Sequence, residues 1–269
     1  MGAWLPDPGP AIAVLAASWA YARGLRAVRP PRWRGRAAAF WAGLAVTAMA
    51  LVSPLDAYAD RLFSLHMLQH FLLSMVAPPL LLAGAPITLL ARAAGRRGTR
   101  MPVASLRRVA HPLVGWTSFV GGQYVIHFTP LFEASLRSEQ VHALLHGLAL
   151  GTGLLFWWPV VGLDPGSRRL AFPARLLYLA LTIPAMGFVG LAIVSARAPL
   201  YPAYAELPPP WGPRAALDQD LGGTLMWVLG DLTLLVAILV TAARWRTDEL
   251  RGEAAGRRIP PAPPSGAGG

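Results

Sequence analysis

The sequence predicts an all-α, polytopic membrane protein: a bundle of about seven transmembrane helices, amino terminus outside and carboxyl terminus cytoplasmic. Three observations predict it. Of 269 residues, 55% are hydrophobic and only 14% charged, where a soluble domain carries nearer a quarter charged. The charges are segregated, leaving stretches almost free of them that match the roughly 20 apolar residues a bilayer core requires per helix. Arginines collect in alternate connecting segments, as the cytoplasmic excess of basic residues demands.

The predicted spans are 9–28, 37–53, 61–82, 109–131, 140–161, 173–195 and 221–243. The first is the weakest, because Arg23 and Arg26 fall near its end. No basic residue precedes its apolar core, so it does not read as a cleavable signal peptide. The third extends towards Leu90, with Pro78-Pro79 and Pro86 expected to bend or interrupt it, which neighbouring helices make tolerable by covering the freed backbone. Pro184 is expected to kink the sixth.

Orientation follows from the loops. Arg29, Arg32, Arg34 and Arg36 fill the first. Arg92, Arg96, Arg97, Arg100, Arg107 and Arg108 fill the third, and Arg168, Arg169 and Arg175 the fifth. The even-numbered segments instead hold few arginines among Asp56, Asp60, Glu133, Glu139, Glu206, Asp218 and Asp220. Odd loops are therefore cytoplasmic. The transmembrane domain is read as 1–245, and 246–269 as a cytoplasmic Arg/Pro/Gly-rich tail, disordered by composition. The outer loop 197–219, with Pro208-Pro209-Pro210-Trp211, is expected to pack as a lid.

All 24 basic residues are arginine, giving a net charge of +11. Their position in short loops assigns that charge to topology and not to nucleic acid. The absence of cysteine excludes disulfides, iron–sulfur clusters and thiolate metal sites.

Ionisable groups inside a bilayer are costly and read as functional by default. His66 and His70 lie one turn apart on the third span, and His142 and His146 repeat the spacing on the fifth. Residues at i and i+4 share one helix face, with Cβ atoms about 6 Å apart, so each pair can hold one metal ion or face the other. At 1.5 Å per residue from the outer ends, His66 and His70 lie about 9 and 15 Å deep. His142 and His146 lie about 5 and 10 Å deep, and His127 about 6–9 Å. His66, His70, His127, His142 and His146 are thus candidate ligands at one depth on three helices. The sixth, His111, sits at the opposite face beside Pro112 and reads as interfacial.

Neutral imidazole suits copper, zinc, iron and nickel. Met67 points to a different side of its helix from His66, and Met226 on the seventh span offers a thioether that favours Cu(I). Facing histidine pairs also suit bis-imidazole haem. Asp231, near mid-span, and Asp60, at the outer mouth, are auxiliary candidates that accept hydrogen bonds from ligand groups. With Asp56, Asp218 and Asp220, Asp60 is read as a ring drawing cations inward. No His-Glu-x-x-His motif exists, since Met67 and Ala143 occupy the glutamate positions, and no nucleophile–base set is evident; the chain is not read as an enzyme. Gly147/Gly151 and Gly121-Gly122 are expected to allow close helix approach.

Ser53-Pro-Leu-Asp56, Phe63-Ser-Leu-His-Met-Leu-Gln-His70, Ala77-Pro-Pro-Leu80 and Gly84-Ala-Pro86 resemble the CtaG-type cytochrome c oxidase assembly factors. The resemblance continues through His142–His146, Phe156-Trp-Trp-Pro-Val160, Asp218-Gln219 and Gly222-Gly-Thr-Leu-Met-Trp227, covering roughly residues 50 to 245. It is to the multi-helix proteins of that name, not to the single-span, cysteine-bearing copper chaperone that shares it. The resemblance implies a multi-pass protein of the bacterial cell (inner) membrane that binds copper, as Cu(I) or Cu(II), near the outer face. It would help supply that copper to cytochrome c oxidase subunits. The alternatives are a haem-binding electron-transfer protein and a copper transporter. The lipid bilayer is the other expected partner, nucleic acid is not, and a homo-oligomer is left open.

Overall fold

The structure, a computed structural model, describes residues 8–95, 110–164, 169–206 and 212–256. Among them every regular element is helical and there is no strand. In chain order the helices are α1 (Pro8–Val28), α2 (Arg34–Leu51), α3 (Pro54–Ala59), α4 (Phe63–Phe71), a π-helical turn (Leu72–Val76), α5 (Ala77–Ala83) and α6 (Pro86–Ala93). There follow α7 (Pro112–Phe128), α8 (Leu131–Arg137), α9 (Glu139–Val161), α10 (Phe172–Val194), α11 (Pro202–Glu206) and α12 (Ala215–Gly256).

Each predicted span is helical. By length and composition, four stretches among the described residues are long and apolar enough to cross a membrane: Phe63–Ala83, Glu139–Val161, Phe172–Val194 and Ala215–Glu253. Their outward faces are apolar: Leu177, Phe188, Val236 and Leu239 are each more than half exposed, the pattern of a surface that meets hydrocarbon and not water. α12 runs to Gly256, beyond the predicted end of its span; 257–269 of the tail lie outside the described residues.

The third span departs from regularity in two places. The π turn at Leu72–Val76 begins two residues after His70, and such single-turn insertions cluster at functional sites. The interruption expected near the prolines falls at Gly84–Ala85, where Ala85 takes φ +47° and Pro86 opens α6. Pro78, by contrast, lies within the first turn of α5, where its missing N–H costs little. The buried Asp164 carboxylate caps α6, accepting from Thr88 N–H at 2.8 Å and Thr88 Oγ1 at 2.7 Å.

α12 packs along α10 and α4, α9 packs against α7, α5 and the π turn, and α2 and α1 cover α5 and α6. Glycines set the close approaches, but not the ones the sequence singled out. A methyl group on Gly121, Gly122, Gly147 or Gly151 would meet nothing within 4 Å. The reason is helix phase. Leu145, Ala149 and Gly153 form the buried i, i+4 stripe of α9, and Gly147 and Gly151 lie about 200° away from it. At Gly153 a methyl would come within 2.6 Å of the Ser74 carbonyl oxygen in the π turn. At Gly190 it would come within 2.9 Å of the Gly223 carbonyl oxygen, the close contact between α10 and α12.

The acids assigned to the outer ring separate. Asp218 is buried, 2% exposed, and accepts from the N–H groups of Phe63 at 2.6 Å and Ser64 at 3.2 Å and from the Ser64 hydroxyl. It is the N-terminal cap of α4, supplied by α12, so it is not free to draw cations. Asp56 accepts from Gln69 Nε2 at 2.6 Å.

Candidate metal centre

Regular α-helix over Phe63–Phe71 and Glu139–Val161 turns each i, i+4 pair into adjacent rings on one face. His66 Nε2 lies 3.1 Å from His70 Nε2, and His142 Nε2 lies 3.0 Å from His146 Nε2. The pairs face one another. The His66 ring stacks on His142 at 4.9 Å between centroids, and His70 meets His146 edge to face at 5.5 Å. Ligand nitrogens of His66, His70 and His146 all fall within 4.8 Å of one another. His66 is fully buried and His70 is 5% exposed, while His142 and His146 are half-buried.

Outer partners fix how the rings present their nitrogens. Tyr204 on α11 donates its hydroxyl to the Ala59 carbonyl at 3.1 Å. The same oxygen lies 2.9 Å from His66 Nδ1, so it accepts there. His66 therefore carries its proton on Nδ1 and turns the Nε2 lone pair inward. Burial, and then the carboxylates of Asp60 and Asp218, raise the Tyr204 hydroxyl well above its ordinary pKa, keeping it a donor. His142 Nδ1 lies 3.5 Å from Asp60 Oδ1, a charge-pair distance and not a hydrogen bond, so the anchor is specific to His66. Such Nδ1–H anchoring is how proteins orient imidazole ligands.

Gln69 closes the cluster from one side. Its amide donates to the Ala50 carbonyl at 2.8 Å and to Asp56 at 2.6 Å, and its Oε1 lies 3.1 Å from His146 Nε2. His146 thus carries its hydrogen on Nε2, and to offer that nitrogen to an ion it would have to shift the proton to Nδ1 and give up the contact with Gln69.

His127 stands apart from the four. Its Nδ1 lies 2.9 Å from the Tyr201 hydroxyl, and its Nε2 is buried without a partner. It lines a cavity of about 30 Å³ whose wall also includes His70, Met67, Met75, Met186 and Met226. Met67 therefore does reach shared space with a histidine. At 3.6 residues per turn it lies about 100° from His66 but only about 60° from His70. Asp231 is not in the cavity wall, although its neighbour Gly230 is; it lies on α12 beside Trp227, whose indole N–H serves one carboxylate oxygen while the other is buried and unpartnered. His111 caps α7, its Nδ1 accepting from Leu113 N–H at 3.2 Å.

Sequence reasoning missed Gln69, Tyr201 and Tyr204. Gln69 carried a usable signal, being an amide on a helix otherwise apolar apart from its histidines and serine. The tyrosines carried only their place in the loop expected to act as a lid; 207–211 of that loop, with the proline run, lie outside the described residues. Replacing Tyr204 with phenylalanine is expected to weaken metal binding roughly 10- to 100-fold with folding retained, measured by competition against a chromogenic chelator.

The profile of a family described as cytochrome c oxidase caa3 assembly factor matches residues 19–248. Uncharacterized proteins of Mycobacterium bovis and Mycobacterium tuberculosis are each 32% identical over 247 residues, covering 86% of this chain and 37% of theirs. One of Mycobacterium leprae is 30% identical over 230 residues, covering 81% of this chain and 35% of its own. The chain thus spans a little over a third of the length of these relatives. No solved structure matches it.

Proposed function

The chain belongs to the cytochrome c oxidase caa3 assembly factor family, and from that premise we propose that it takes up copper at the His66–His70–His142–His146 cluster and passes it to an oxidase subunit. The observation that carries this reading is the convergence of three imidazole nitrogens within 4.8 Å. Metal–imidazole bonds of about 2.0–2.1 Å place tetrahedral ligand nitrogens roughly 3.4 Å apart. The observed gaps of 3.0 and 3.1 Å open to that with small ring rotations. Between the pairs, the His66 ring stacks on His142 at 4.9 Å and His70 meets His146 at 5.5 Å between centroids, which leaves no slot for a porphyrin and favours an ion over haem. Imidazole alone would also take zinc; the family premise selects copper.

We read the chain as seven spans in the bacterial cell membrane with the amino terminus outside. Arg36 and Arg92, from the first and third loops, both stack on Trp33, at 4.5 and 5.6 Å. Asp60, Asp218 and Glu133 instead all act on the hydroxyl of Tyr204, the partner of His66. This supports arginine loops sharing one side and the histidines opening to the other. The protein acts as a carrier and not as an enzyme: ligand exchange needs accessible imidazoles and no general base.

Metal analysis with electron paramagnetic resonance on protein purified with and without added copper tests the reading. At least one copper per chain is expected, with a nitrogen-bound equivalent at the cluster. A metal-free protein whose oxidase matures normally, or a Soret band in the purified protein, overturns it.

A further inference from the structure

Deeper along α4 than the cluster, the cavity of about 30 Å³ has a composition the four-histidine site does not account for. The chain has seven methionines, and four of them, Met67, Met75, Met186 and Met226, line this one space from α4, the π turn, α10 and α12. His127 joins them from α7. Its ring is 6% exposed, Tyr201 occupies Nδ1 on the loop side, and Nε2 has no hydrogen-bond partner. Methionine is common packing filler, and filler alone would explain four thioethers. It does not explain a buried imidazole nitrogen left unpaired among them, since buried polar atoms are as a rule hydrogen-bonded.

We propose that this chamber is a second metal site, in which His127 Nε2 and the thioethers of Met67 and Met226, flanked by Met75 and Met186, bind a soft monovalent ion: Cu(I), for which Ag(I) is a surrogate. Thioether sulfur selects Cu(I) over zinc and over hard divalent cations, so the chamber is more selective than the all-imidazole cluster. A cavity of this size has room for an ion and little else. His70 lies in the wall of the chamber and in the cluster, so the two sites adjoin. An ion moves between them by exchange: each Cu–N bond to the cluster that breaks is replaced by a bond to sulfur or to His127, and no electron is transferred. The sequential route rests on the cluster being a copper site; the existence of the chamber site does not.

The test is an anaerobic titration of the purified full chain with Cu(I) against a competing chelator, read together with copper-edge X-ray absorption. Two equivalents and a sulfur shell are expected in the wild type. Met67→Leu with Met226→Leu, which conserves volume and so preserves packing, is expected to remove one equivalent and the sulfur shell while leaving a nitrogen-bound equivalent. His127→Leu should do the same. A wild-type protein holding one equivalent with nitrogen ligation alone, or a Met67→Leu/Met226→Leu protein with unchanged sulfur scattering, overturns the chamber and leaves the cluster standing. A sulfur-bound equivalent that survives His66→Ala/His146→Ala, with no nitrogen-only equivalent in the wild type, supports the chamber and overturns the cluster. Absence of any bound Cu(I) overturns both.

Discussion

His66→Ala is expected to lower copper affinity at the cluster by more than roughly 100-fold, a larger loss than the 10- to 100-fold typical of removing an outer hydrogen-bond partner. His66 is the fully buried member. It touches both the other ligand on its own helix, at 3.1 Å, and the opposing pair, through the stacked His142 ring. Its Nε2 lone pair is pre-set by Tyr204, so its coordinate bond forms without reorienting the ring. Removing it strips one nitrogen from the converging set and leaves the Tyr204 hydroxyl without its donor. The matched control is His111→Ala, which removes a cap from α7 at 3.2 Å and should leave copper binding unchanged. Chelator competition on both proteins measures the difference; equal affinities would exclude His66 from the site.

Asp218→Ala is expected to destabilise the fold by about 2–4 kcal/mol, the sum of a lost helix cap and of hydrogen bonds to a charged acceptor. One carboxylate serves two backbone N–H groups and a hydroxyl at the start of α4, and it does so from α12. Alanine leaves those buried donors unpaired and cuts the polar tie between the two helices. The thermal midpoint in detergent should fall by roughly 5–15 °C. Asp218→Asn should fall by less, since it keeps one acceptor oxygen while turning an amide N–H towards a donor. Because α4 carries His66 and His70, copper binding should weaken with stability and recover when the protein is held cold.

Legibility differed element by element. The four stretches that can cross a membrane could be read because hydropathy and charge segregation are local and cumulative: a bilayer leaves no other backbone solution for such stretches. The paired histidines could be read for the same reason, since i, i+4 spacing fixes relative direction within one helix. The glycines show where this stops. Gly147 and Gly151 have the small-residue spacing, yet Gly153 makes the contact, because which face of α9 turns inward is set by what it packs against.

The sequence by itself determined the helices, their apolar outward faces and two histidine pairs, all consequences of periodicities a few residues long. Only the tertiary structure decided that the pairs face each other, that Tyr204 and Gln69 hold their protons in place, and that His127 looks into a methionine chamber instead of the cluster. Those contacts join residues far apart in the chain, 77 positions for Gln69 with His146 and 138 for His66 with Tyr204. They depend on the rotation of each helix about its axis, which long-range packing selects and local pattern leaves free.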